Sequence, residues 1–153
     1  MYPTHLTSPN GANKFDTEIT PAKVLGDLGP HASVIDIEDD TIHNSTYRTA
    51  RWTGTYLQVT LMSIDVGKDI GLEVHQDTDQ FLRIEQGRGL VRMGNAHDDL
   101  YLKDEVLDGD AILIPAGTWH NITNIGDVAL KLYSIYAPPH HPHGTVELSK
   151  ADK

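Results

Sequence analysis

His75 has a carboxylate two residues away on either side, Glu73 behind it and Asp77 ahead, in the run GLEVHQDTDQFLRIEQG spanning 71–87. On an extended segment, residues two apart leave the chain on the same side, so an imidazole and a carboxylate at this spacing can face one metal ion. Glu73, His75 and Asp77 all share that parity, and parity alone leaves both pairings open. The stretch QDTDQ is polar throughout and reads as the turn before the next strand, which places Asp77 at a mouth. In QFLRIE the alternate positions Gln80, Leu82 and Ile84 form one face. Gln80 is then an amide on an otherwise apolar, inward surface, and a buried amide needs partners. A second imidazole, His120, follows a strand and a Pro-Gly turn in GDAILIPAGTWHNITN, 109–124. The chain has no cysteine, so a metal here would be held by nitrogen and oxygen, and no disulfide framework exists.

These side chains need a scaffold that presents alternate residues to one interior. From Ser33 onward the chain breaks into short β-type runs: SVIDI (33–37), YLQVTLMSI (56–64), GLEVH (71–75), QFLRIE (80–85), GLVRM (89–93), DAILIP (110–115), HNITNI (120–125) and ALKLYSIY (129–136). Gly, Asp or Asn separates them, and no amphipathic helix lies between. Many short strands at such spacing predict an antiparallel sandwich or barrel. Residues 1–30 are rich in Pro, Gly, Asn and Thr and read as an arm. Within it TPAKVLGDLG (20–29) is expected to form one short helix, with Thr20 as N-cap and Pro21 in the first turn. The division is an arm over 1–30, a barrel over 31–137 and a tail over 138–153.

The spacing of these residues resembles the cupin superfamily. Gly109, five residues, Pro115, one, Gly117, two, His120, three, Asn124 matches the second cupin motif at every fixed position. The first motif is glycine, five residues, His-x-His, three or four residues, glutamate, six residues, glycine. Gly67, Glu73, Val74, His75, Gln80 and Gly87 fit every interval when His75 takes the second histidine position. Glutamate then replaces the first cupin histidine and glutamine the cupin glutamate. The resemblance covers roughly residues 56–137 and implies the ligands Glu73, His75, Gln80 and His120. It also implies an all-β cupin-type double-stranded β-helix, or jelly roll, that is usually a homodimer.

Such a ligand set suits one borderline divalent ion, Mn, Fe, Co, Ni or Zn. Fold does not set the reaction, so the site must. Two imidazoles, one carboxylate and one amide resemble the zinc site of mannose-6-phosphate isomerases, which implies an isomerase or epimerase of a sugar or sugar phosphate, with Glu73 as both ligand and base. Glu73, His75 and His120 taken alone form the two-histidine, one-carboxylate set of non-haem iron oxygenases, which implies a dioxygenase or decarboxylase of a small carboxylate. The third reading is a cupin that binds a small molecule without turnover.

Twelve basic against 22 acidic residues give a formal charge of −10, which disfavours nucleic acid and anionic membranes and favours a small-molecule partner. No apolar stretch suggests a signal or a span, so a cytoplasmic location is the expectation. His5, His31, His43 and His97 have no partner at ligand spacing. His140, His141 and His143 in PPHHPHG read as an extended surface tail with adventitious or structural behaviour, a lid over the barrel mouth being the alternative. Trp52 and Trp119 read as packing residues. Arg48, Arg51, Arg83, Arg88 and Arg92 lie near or within the barrel; Arg83 and Arg92 read as solvated. Gly67, Gly87, Gly109 and Gly117 read as turn glycines.

Overall fold

The computed structural model describes residues 25–150. Residues 1–24, with His5 and the start of the expected helix over 20–29, lie outside the described residues. Among those described, one helix, α1 (Ile37–His43), precedes nine strands: β1 (Arg48–Thr53), β2 (Gln58–Ile64), β3 (Asp79–Gln86), β4 (Arg88–Gly94), β5 (Leu102–Leu107), β6 (Ala111–Ile114), β7 (Trp119–Asn124), β8 (Leu130–Ala137) and β9 (Val146–Glu147). They form an antiparallel six-stranded sheet in the order β6-β3-β8-β2-β1-β9 and a three-stranded sheet in the order β5-β4-β7. This is the expected jelly-roll architecture.

The core fills the space between the sheets. Met62 and Ile64 of β2, Leu82 and Ile84 of β3, and Leu130 and Leu132 of β8 meet Val91, Val106 and Ile122 of the smaller sheet. Alternation along β8, and along β3 as far as Ile84, drives this, since every second side chain is buried.

Three expectations need correction. SVIDI is not a strand: Asp36 caps α1 instead, its carboxylate accepting from Asp39 N at 3.1 Å, and Glu38, Asp39 and Asp40 fill the first turn where the helix dipole favours anions. Arg51 Nε then donates to Asp40 Oδ2 at 2.8 Å and fastens the helix to β1. GLEVH is not a continuous strand either; only Glu73 makes a bridge, to His120. The described end of TPAKVLGDLG, 25–29, is not helical. It docks on β1, with Leu28 N donating to Arg51 O at 3.0 Å and Thr53 Oγ1 donating to Asp27 Oδ2 at 2.6 Å.

β1, β5 and β9 belong to no predicted run. β5 is an edge strand with only Val106 buried, so it carries no apolar alternation. β9 comes from the region read as a tail and pairs with β1, so residues 138–150 return along the barrel. No helix among the described residues is long and apolar enough to cross a membrane.

Candidate metal centre

The turn at 115–118 builds half of the site. Thr118 N donates to Pro115 O at 3.1 Å, and Gly117 occupies the third position with φ +80°, a left-handed conformation that favours glycine. Gly117 N donates to His75 O at 2.8 Å, tying the loop carrying His75 to this turn. Thr118 O accepts from His120 Nδ1 at 2.9 Å. A carbonyl can only accept, so Nδ1 carries the proton and Nε2 presents its lone pair inward, the tautomer a metal ligand needs.

Glu73 and His120 are set against each other by backbone. Glu73 N donates to His120 O at 3.0 Å and His120 N to Glu73 O at 2.9 Å, the reciprocal pair of an antiparallel bridge, which puts the two side chains on one face. Glu73 Oε1 then lies 3.4 Å from His75 Nε2 and 3.6 Å from His120 Nε2. One ligand atom from each of these three residues falls within 4.8 Å of the others. Burial pushes the Glu73 carboxyl up, but His120 and His75 beside it outweigh that and hold it well below the usual carboxylate range.

Gln80 enters from β3. Its Nε2 donates to Ser134 Oγ on β8 at 2.8 Å, while Oε1 is buried with no hydrogen-bond partner. His75 Nε2 and His120 Nε2 are likewise buried and make no hydrogen bond. Three buried polar atoms that make no hydrogen bond, two of them beside the Glu73 carboxylate, are costly unless a cation takes them. The donor set therefore fits a divalent ion, and Glu73, His75, Gln80 and His120 are the residues that would hold it. Asp77, the competing carboxylate, is exposed in its turn.

The segment after β8 runs beside these residues: His140 and His143 of PPHHPHG are exposed, in keeping with a surface segment of structural behaviour, but it is tied to the barrel. The His140 ring centroid lies 4.0 Å from that of His75, and His140 also stacks on Tyr136 at 5.6 Å. Gln58, fully buried on β2, fixes this strap: Oε1 accepts from His140 N at 3.2 Å and His141 N at 2.9 Å, while Nε2 donates to His141 O at 2.8 Å and Thr53 Oγ1 at 3.0 Å. Burial brings His141 down to about 3 and lowers His140 as well, so both rings favour the neutral form at neutral pH. Sequence reasoning missed Gln58, although it is an amide at inward parity, the same signal that marked Gln80. His31, His43 and His97 are exposed, and Arg92 is solvated. Trp52 Nε1 donates to His31 O at 2.8 Å, one residue past the arm.

The cupin domain family matches residues 60–136. The uncharacterised protein YrkC of Bacillus subtilis (strain 168) is 58% identical over 129 residues, 84% of this chain and 69% of that one. The crystal structure of BH2720 from Bacillus halodurans is 62% identical and superposes with a TM-score of 0.82 over 82% of this chain and 96% of that one. KdgF from Halomonas sp. is 20% identical, with a TM-score of 0.54 over 61% of this chain and 80% of that one, and shares the fold.

Proposed function

The chain belongs to the cupin family, and from that premise we propose that it is a metal-dependent enzyme acting on a small oxygen-rich substrate, a sugar or sugar-phosphate isomerase or epimerase. The observation that carries this reading is the convergence of Glu73, His75 and His120, and the buried, partnerless Gln80 Oε1 supports it. A divalent ion held by these residues would supply Lewis acidity toward a substrate carbonyl or hydroxyl oxygen. The chain's own groups do the rest. Glu73 provides the single negative charge of the donor set and is the base that moves the proton between adjacent carbons. The bond from His120 Nδ1 to Thr118 O holds its ring in one orientation. The low exposure of His75 and His120 excludes bulk water, so charges in the site act at reduced dielectric.

The two-histidine, one-carboxylate set also supports a second reading, a dioxygenase or decarboxylase of a small carboxylate. Metal analysis of protein purified without a histidine tag separates the two. Zinc as the dominant native metal is the expected result and removes redox chemistry. Iron or manganese with substrate-dependent oxygen uptake would overturn the isomerase reading in favour of the second.

A further inference from the structure

The barrel holds a buried charge that the metal centre does not use. Arg48 opens β1 opposite Met62, so its side chain enters the interior, and it is 7% exposed. A guanidinium offers five N–H donors. Here NH1 donates to Glu147 Oε1 at 2.9 Å, NH2 reaches only the Met62 sulfur at 3.9 Å, and Nε is buried with no partner. Arg51, three residues on and on the outer face, shows what a structural arginine looks like in the same strand. Its Nε binds Asp40 Oδ2 at 2.8 Å and its NH1 the Gly26 carbonyl at 2.7 Å. One arginine is consumed by the fold; the other keeps donors in reserve.

The reserve lies inside the barrel: the Arg48 guanidinium carbon is 5.2 Å from the centroid of the buried Tyr47 ring. The same inner face carries Tyr136, two rows on from Met62, and His75 lies 5.9 Å from the Tyr136 ring. Leaving a buried cation's donors unpaired is costly unless an anion completes them, and the planar fork suits an oxyanion.

We propose that Arg48 receives an oxyanion group of the substrate, a carboxylate or a phosphate, inside the barrel that also holds Glu73, His75 and His120. This rests on the reading of that centre as a substrate site, and it narrows the substrate to a small anionic molecule. Glu147 is then the resident counter-ion, which the substrate's anion joins or displaces.

Calorimetric titration of the full-length protein with inorganic phosphate and with glycolate tests this, each on metal-loaded and on chelator-treated protein. At least one of the two anions should bind at a single site, and whichever binds identifies the group. Arg48→Gln should weaken that binding at least tenfold, and Arg48→Lys should recover part of the loss. Glu147→Gln, which removes the competing carboxylate, should tighten it several-fold. No saturable binding of either anion by the unmodified protein overturns the inference, as does unchanged affinity in Arg48→Gln. Weaker binding in Glu147→Gln also overturns it, since that outcome assigns the pair to holding β9 on β1. If Arg48→Gln fails to fold, the Arg48→Lys and Glu147→Gln titrations decide. Metal content measured on every variant keeps the two readings apart. Anion binding that depends on metal but not on Arg48 defeats this inference alone, whereas Arg48-dependent binding by a protein that takes up no metal defeats the metal reading alone.

Discussion

The inner face of the six-stranded sheet changes chemistry half-way along the barrel. One row across the strands is Met62, Leu132 and Ile84, flanked by the pair Ile64 and Leu130. Two rows further on, Gln58, Tyr136 and Gln80 stand side by side, with Thr60, Ser134 and Leu82 between. Parity sends all these side chains inward, and distance along the axis decides whether they meet apolar partners or the metal centre. The apolar end supplies the driving force for folding, while the polar end keeps donors and acceptors desolvated, which opposes it. A small barrel can therefore hold an exacting candidate site because most of its apolar packing lies further along the same strands.

The sharpest way to break this comparison is to cut the ligands. Glu73→Ala or His120→Ala should lower metal affinity by about 100-fold or more, since first-shell losses exceed the 10–100-fold typical of outer-shell partners. The variants should also unfold at a lower temperature than the metal-loaded unaltered protein, because an ion that binds only the folded state stabilises it. Asp77→Ala, which alters an exposed turn, should leave both properties alone. Metal content and differential scanning calorimetry on the three variants read the outcome; full metal retention by Glu73→Ala would sink the assignment.

At the other end the pattern should invert. Leu132 is fully buried between Met62 and Ile84, so Leu132→Ala should cost about 2–5 kcal/mol in urea unfolding. Metal affinity should change by less than a few-fold. A large loss of metal in this variant would show that the two ends are not separable.

The smallest effect concerns the segments that close the polar end. Partial burial works against the Asp27 charge, but bonds from Thr53, Gly144 and Gly29, with His143 nearby, outweigh it and lower its pKa. A lowered folded pKa contributes stability that is present above the ordinary carboxylate value of about 4 and is lost as pH falls through the folded value. Asp27→Asn should therefore lower stability at neutral pH and converge with the unaltered protein as pH falls below about 4, which flattens the acid limb. Unfolding midpoints measured from pH 2 to 7 check the sign; an unaltered acid limb would mean the carboxylate is not coupled to folding.

The strands whose two faces differ were legible in the sequence, because alternation in QFLRIE and ALKLYSIY needs no partner to be seen. β1 was not: its inward residues include Arg48, and a bulge between Ala50 and Trp52 breaks its period. SVIDI failed because β-branched residues suggested a strand while Asp36 and the acidic turn after it favoured a helix start. At the candidate site, Glu73, His75, Gln80 and His120 were named through the intervals of the cupin motif, whose glycines Gly67, Gly87, Gly109 and Gly117 all have positive φ here. Arg48 and His140 escaped because their relation to the centre depends on how β1 and the strap register against β2, which no local spacing encodes.

Gln58 shows how narrow that last dependence is. Its amide has two hydrogens and two lone pairs, and Thr53, His140 and His141 use all four. Glutamate in its place would turn both donors into acceptors facing a carbonyl and a hydroxyl, asparagine would fall a methylene short, and leucine would answer nothing. In the twenty-letter alphabet this position has one spelling, and a misprint there is read elsewhere: at the arm through Thr53 and Asp27, and at the strap that sets His140 against His75.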